Sequence, residues 1–275
     1  MPVSDADAVA FLRWALPRMG YRWRGFRHVR RQVRRRLARR LGELGLCDLD
    51  AYGAHLESHA GEWSWLDAAC RITISRFYRD RGMWEALVAD VVPRLAALAQ
   101  QRGDAELRAW SAGCASGEEA YTLRIAWERW TEAPLPLQIL GTDIDAAVLA
   151  RARAARYREG TLKSLPASWR KDAFDRDGDE LVLREHLHCD VRFERRDIRG
   201  EPPAGPFHLI LCRNLGLTYF VEDRQLEMMG RVLRVLVPGG ALVIGGHERL
   251  PEALSDSLAG WHEKLCIFCR SDASG

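Results

Sequence analysis

Ala112-Gly113-Cys114-Ala115-Ser116-Gly117-Glu118-Glu119 is the stretch that decides the fold. It follows an apolar run, Leu107 to Trp110, that reads as a strand, and it precedes Ala120 to Trp130, which reads as a helix. A small-residue loop between strand and helix is where an open α/β sheet takes a ligand. The two carboxylates at the start of the helix set the charge of that ligand. A helix N-terminus favours anions, and Glu118 and Glu119 already supply them, which argues against a phosphate and for a cationic amine. Many strand-to-helix turns are rich in Gly and Ser, so the flanking chain has to narrow the reading.

Outward from the loop, apolar strands alternate with amphipathic helices. Strands are expected at 107–112, 137–142, 191–196, 207–212 and 240–246, and helices at 117–131, 145–155 and 221–236. That alternation predicts a doubly wound, Rossmann-like parallel sheet with helices on both faces. An excursion, Arg156 to Asp190, interrupts it. Asp175-Arg-Asp-Gly-Asp179 is a turn signal, followed by Glu180-Leu-Val-Leu-Arg184, and the segment reads as an inserted β-hairpin over about 158–190. Upstream the chain reads as helical. Val9, Leu12, Ala15 and Leu16 recur at helical spacing behind the capping residues Ser4 and Asp5. Arg22–Leu44 reads as one helix with Phe26, Val29, Val33, Leu37 and Leu41 as its apolar stripe and Gly42 and Gly45 at its end. Shorter helices are expected at 49–60 and 84–99. The predicted division is a helical N-terminal domain, 1–75, and an α/β domain, 76–275.

Composition excludes several classes. The chain has 275 residues, 47% of them hydrophobic, enough for a sizeable core. No apolar run reaches the length of a transmembrane helix, and the first residues lack a signal-peptide pattern, so a cytoplasmic location without membrane insertion is expected. Seven scattered cysteines fit a reducing compartment. Cys266 and Cys269 lie in a segment that reads as a strand, where positions i and i+3 face opposite sides, so no metal is expected there. The net charge of +3 hides an asymmetry, because residues 22–40 carry ten arginines and no acid. A basic patch on an otherwise mildly acidic chain points to a local partner site. Nucleic acid is not expected, since no aromatic platform is interleaved with the arginines.

The other strand ends supply a constellation. Asp143 closes the second strand and is placed to accept the hydroxyls of a ribose, whereas Asp145 suits a helix cap. Asp197 closes the next strand, where a carboxylate suits an adenine amino group. Asn214 follows the fourth, in Leu209-Ile-Leu-Cys-Arg-Asn-Leu215. S-adenosylmethionine carries a ribose, an adenine, an ammonium and a sulfonium but no phosphate, and it matches this set.

Residues 70–270 resemble the chemotaxis receptor methyltransferases, the CheR family. The resemblance rests on Ile74-Ser-Arg-Phe-Tyr-Arg79, the loop 112–119, Thr142-Asp-Ile-Asp145, Arg156-Tyr157, Cys212-Arg-Asn214, Tyr219-Phe220, Pro238-Gly-Gly240 and Gly246-His-Glu248, in that order. It implies a helical N-terminal domain, a methyltransferase domain with an inserted β-subdomain, and methylation of receptor glutamates with S-adenosylhomocysteine as the second product. By the same resemblance Gly113, Glu118, Asp143, Asp197, Ile198, Arg213 and Asn214 are the cofactor residues, and Arg79 and Tyr219 the catalytic ones. The chemistry suits them. A carboxylate is ionised at neutral pH and needs positioning rather than a base, and a guanidinium can hold one oxygen while the other attacks.

The chain departs from the family at two strand ends. Leu215-Gly-Leu-Thr218 makes the spacing from Asn214 to Tyr219 one residue longer, and the segment after His247 is one residue shorter. The hairpin turn at 175–179 is also short, so no docking to a receptor's C-terminal pentapeptide is expected. In the family the basic helix contacts an acidic helical receptor bundle, and arginines 27, 31, 34 and 35 are expected to share a face. The alternative readings are a methyltransferase acting on a small molecule, such as a small carboxylate, or on a non-receptor peptide, with a carboxylate, hydroxyl or amine as nucleophile, and a non-catalytic, regulatory S-adenosylmethionine-binding module.

Overall fold

The structure is a computed structural model, and it describes residues 3–130 and 135–271. It divides into two compact units. The first takes in the chain up to Ile72 together with Thr218–Arg224, and the second holds Thr73–Leu217 and the chain from Gln225 onward.

Among the described residues, the N-terminal stretch of the first unit forms α1 (Asp5–Arg18), α2 (Trp23–Phe26), α3 (Arg30–Leu44), α4 (Leu49–Ser58) and α5 (Glu62–Ala69). Ser4 caps α1 by accepting from the Asp7 N–H, and Asp48 caps α4 through the Ala51 N–H. Phe11, Leu12, Leu16, Phe26, Val33, Leu37, Tyr52 and Leu56 are buried and form its interior. The single helix expected over 22–44 is two. The backbone at Arg22 is extended, and α2 ends at Phe26. Gly25 in this first piece lets residue 218 come close, since a Cβ there would lie 2.4 Å from the Thr218 carbonyl oxygen. The Arg22 N–H donates to the Tyr219 carbonyl at 2.7 Å, so residues 218–220 lie directly against α2. Gly45 ends α3 in a left-handed conformation, as its sequence position implies.

The second unit opens with α6 (Arg81–Ala86), a π-turn at Leu87–Val91, and α7 (Val92–Gln101). The expected helix 84–99 thus begins earlier and carries a bulge. Pro93 is the physical reason, because it cannot donate an N–H and the ladder upstream rearranges around it. Then follow β1 (Leu107–Ala112), α8 (Glu118–Glu128), β2 (Leu137–Asp143), α9 (Ala146–Ala154), β3 (Arg156–Arg158), α10 (Ala167–Ala173), β4 (Phe174–Asp177), β5 (Glu180–Leu183), β6 (Val191–Arg195) and β7 (Phe207–Cys212). After them come α11 (Gly216–Tyr219), α12 (Glu222–Arg234), β8 (Leu236–Ile244), β9 (Leu258–His262) and β10 (Ile267–Arg270). Thr131, at the end of the helix expected over 117–131, lies outside the described residues.

Among the described residues, seven strands form the main sheet in the order β6-β2-β1-β7-β8-β10-β9. The first five pair in parallel, and β10 and β9 close the sheet antiparallel. The central strand β7 is buried at every position, the pattern of a parallel strand covered on both faces. Leu107, Ala109, Leu137, Ile139, Leu209, Leu211 and Val243 carry the core toward Leu95, Leu123 and Trp127. The inserted hairpin is larger than expected. β4 and β5 join across the two-residue turn Gly178-Asp179, with Gly178 at a φ of 59°, and β3 pairs with β5 to make a three-stranded sheet. Asp175 to Asp177, expected in the turn, belong to the strand.

Candidate active site

The loop after β1 is built from backbone that side chains rarely tolerate. Gly113 has a φ of 70°, Ala115 one of 47° and Gly117 one of 85°. A Cβ on Gly117 would meet Phe193, Ala152 and Tyr121 within 3.2 Å, so glycine is required there twice over. The loop is then pinned from three sides. The Cys114 N–H donates to the Thr142 carbonyl at 2.9 Å, the Ala115 N–H to Asp143 Oδ2 at 3.0 Å, and the Tyr157 hydroxyl to the Ser116 carbonyl at 2.7 Å. Tyr157 is buried, and burial pushes its hydroxyl well above the usual phenol range.

Two loop-facing carboxylates differ in surroundings. Asp143 accepts from Ala115 and, through Oδ1, from the Asp145 N–H at 2.9 Å, while Asp145 itself caps α9. Burial raises the pKa of Asp143 despite those bonds. Glu118, the first residue of α8, is 6% exposed, and its Oε2 is buried with no hydrogen-bond partner among the described residues. Burial raises its pKa as well, against the opposing pull of the Ser75 hydroxyl and the Arg151 charge. An orphaned buried carboxylate oxygen costs free energy that a cationic donor recovers. Glu118 therefore fits an ammonium, and Asp143 fits paired hydroxyls.

Arg79 lies between two residues of positive φ, Tyr78 at 54° and Asp80 at 63°. Such backbone persists only where its surroundings hold it. Here the Tyr78 N–H donates to Thr122 Oγ1 at 3.1 Å, and Thr122 donates to the Glu118 carbonyl at 2.6 Å. The Arg79 carbonyl accepts from Arg213 at 3.3 Å. The Arg79 side chain is half-buried and makes no ion pair or hydrogen bond among the described residues. Arg213 does the opposite. Its buried guanidinium donates to Glu119 Oε2 at 2.9 Å and to Asp80 Oδ2 at 2.5 Å, and Ser111 donates to the other Glu119 oxygen at 2.7 Å. The Arg213 side chain thus serves as a strut between α8 and the Arg79 turn.

At the other strand ends, Asn214 has a φ of 53°, and its side-chain amide makes no hydrogen bond among the described residues. Asp197 holds Arg199 bidentately, with the shortest contact at 2.7 Å, so its carboxylate is engaged by protein. Ile198 lies half-buried in the turn closed by the Gly200 N–H on the Asp197 carbonyl. Gly113, Glu118, Asp143, Asn214 and Arg79 thus belong to strand ends and loops of the second unit, while Tyr219 belongs to the first, where its ring packs on Phe26 with centroids 5.0 Å apart. Sequence reading missed Thr122, Tyr157 and Glu248 as supports. Tyr157 and Glu248 stood inside quoted motifs, but nothing in their spacing told which backbone groups they would meet.

A seven-stranded sheet with an antiparallel last pair, a glycine loop and an acid after the second strand defines an S-adenosylmethionine-dependent methyltransferase. The family described as "CheR methyltransferase, SAM binding domain" matches residues 73–260. The chain belongs to that family. A chemotaxis protein methyltransferase of Listeria innocua is 36% identical over 188 residues, 68% of this chain and 70% of its own. The Escherichia coli K12 protein of the same description is 34% identical over 80% of this chain and 77% of its own. That of Salmonella typhimurium is 32% identical over 85% and 81%. Among the described residues no helix is long and apolar enough to cross a membrane, and no cluster of His, Cys, Asp and Glu is arranged to hold a metal.

Proposed function

We propose that this methyltransferase esterifies side-chain carboxylates of glutamates on an acidic helical protein of the chemoreceptor type. The observation that carries the reading is Arg79, a half-buried guanidinium held in a strained turn beside the cofactor loop and left without an ion pair. A fixed cation with its donors unspent suits an anionic acceptor. Bound S-adenosylmethionine supplies an electrophilic methyl group on sulfur. Glu118 holds the ammonium of that ligand and Asp143 its ribose hydroxyls. Arg79 binds one oxygen of the acceptor carboxylate and orients the other in line for attack, and no proton has to be moved beforehand. Tyr219 is the second residue assigned to catalysis, and Tyr219→Phe tests it by removing the hydroxyl while keeping the ring on Phe26.

Support for the protein acceptor comes from α3 and the turn before it. Arg31 and Arg35, one helical turn apart on α3, and Arg27 in the preceding turn are exposed and make no ion pair among the described residues. Arg34, expected with them, instead pairs with Asp5 at 3.5 Å, and Arg30 joins it at 3.0 Å. The free stripe is therefore 27–31–35. The relatives' printed names place them in chemotaxis, and that role is carried over here as part of the proposal.

The test is transfer of labelled methyl into chemoreceptor cytoplasmic fragments, lysate protein and small-molecule extract, followed by mild base. Base-labile label on receptor fragments supports the proposal. Label confined to small molecules, or stable to base, overturns it.

A further inference from the structure

Glu248 is 6% exposed and stands in the turn after β8. Its two oxygens accept from three backbone amides on two segments. Asn214 donates to Oε2 at 2.8 Å and Leu215 to Oε1 at 3.1 Å, both just beyond β7, and Gly245, just beyond β8, donates to Oε2 at 2.6 Å. The Glu248 N–H closes the turn on the Gly245 carbonyl at 2.8 Å. The ladder between β7 and β8 ends at Cys212 and Ile244, so the carboxylate takes over where strand pairing stops.

Asn214 is the residue this arrangement holds. Its φ of 53° lies in the left-handed region, which asparagine enters more readily than other non-glycine residues, and the bonds from Glu248 to the Asn214 and Leu215 amides hold the backbone there. A Cβ on Gly245 would lie 2.8 Å from Asn214 Oδ1 and 2.8 Å from Glu248 Oε2, so the missing side chain at Gly245 is what lets amide and carboxylate share this space. The amide of Asn214, held but making no hydrogen bond among the described residues, is presented to a ligand.

We propose that Glu248 is a positioning residue for the cofactor: by binding the amides of Asn214, Leu215 and Gly245 it fixes Asn214 in its ligand-binding conformation. The inference rests on the reading of Asn214 as a cofactor residue. It predicts a loss in cofactor affinity, with the chemical step intact once the site is filled.

The experiment is calorimetric titration of the full chain with S-adenosylhomocysteine, alongside steady-state methyl transfer and thermal melts, for Glu248→Gln, Glu248→Ala, Gly245→Ala and Asp143→Asn. Loss of a buried charged acceptor predicts Kd raised about 10- to 100-fold in Glu248→Ala and by a smaller factor in Glu248→Gln, with kcat at saturating cofactor within about threefold. Gly245→Ala, which keeps Glu248 but crowds Asn214, raises Kd in the same way. Unchanged Kd in the Glu248 variants with only a lowered melting temperature makes Glu248 a strand staple and overturns the proposal. So does a fall confined to kcat. Asp143→Asn separates the two levels. If it weakens binding while the Glu248 variants do not, Glu248 alone was misread; if none of the four variants weakens binding, the cofactor site itself was misplaced.

Discussion

Arg79 and Arg213 show how one residue type divides its work according to what surrounds it. Arg213 spends its donors on Glu119, Asp80 and the Arg79 carbonyl, whereas Arg79 makes no such contact among the described residues. A charge-assisted hydrogen bond to a carboxylate is worth about 1.5–3 kcal/mol. Arg79→Ala is therefore expected to lower kcat/KM for the acceptor by roughly 10- to 100-fold, with S-adenosylhomocysteine affinity near wild type by calorimetry. Arg79→Lys is expected to recover part of the loss, because a point charge replaces a planar fork. The carboxylates Glu118 and Asp143 lead to a pH prediction. Burial raises both pKa values in the free protein, and a bound cation favours the ionised forms. Below the raised pKa values binding has to expel protons. Cofactor affinity should therefore fall as the pH is lowered from neutral, and titrations on the acid side in buffers of different ionisation enthalpy should show proton release. Equal affinity across that range would remove Glu118 as the ammonium partner.

Among the elements, α3 has two jobs on two faces. Val33, Leu37 and Leu41 are buried, and the flanking arginines are tied down: Arg36 to the carbonyls of Ala69 and Arg71, and Arg40 to Glu62 at 2.7 and 2.8 Å. Tyr52 of α4 also donates to Glu62 at 2.8 Å, so one buried carboxylate joins α3, α4 and α5. Arg40 holds the pKa of Glu62 below the ordinary value. The stability it contributes is thus present above the unfolded pKa and lost as pH falls through the folded one. Glu62→Ala leaves the buried Tyr52 hydroxyl without its acceptor and Arg40 with only its exposed pair to Glu43 at 3.0 Å, and a loss of about 1–3 kcal/mol is expected in urea melts at neutral pH. The exposed arginines, Arg31 and Arg35 on α3 and Arg27 in the turn before it, are separate. Charge reversal at Arg27, Arg31 and Arg35 should leave stability and cofactor affinity unchanged while raising KM for a receptor fragment, and added salt should shrink the difference between wild type and variant. No change in KM would turn that stripe into a solvated face.

For the whole molecule, the route of the chain matters more than any single contact. Thr218–Arg224 leaves the sheet unit, packs with the N-terminal helices and returns. Phe220 is buried, its ring 5.4 Å from that of Tyr21, and its backbone bridges to Tyr21. A fragment beginning at Thr73 keeps the sheet but strips this segment of its packing. Such a fragment should melt lower and bind a hydrophobic dye that the full chain excludes.

The sequence by itself determined the helical beginning, the parallel sheet, the loop at 112–119 and the acids and amide at the strand ends. Each is written in local chemistry: hydrophobic period, glycines at positive φ, and capping residues such as Asp145. It did not reveal that β10 and β9 close the sheet antiparallel, that Pro93 puts a π-turn into a long helix, or that the helix expected over 22–44 breaks between Phe26 and Arg30. Nor did it separate Arg79 from Arg213, or mark Asp197 as already paired. Those outcomes depend on which groups meet across long sequence separations, Arg213 with Asp80 and Glu119, and Glu248 with Asn214. Only the tertiary structure decided them, because hydrogen-bond satisfaction of a buried charge is a property of its neighbours in space.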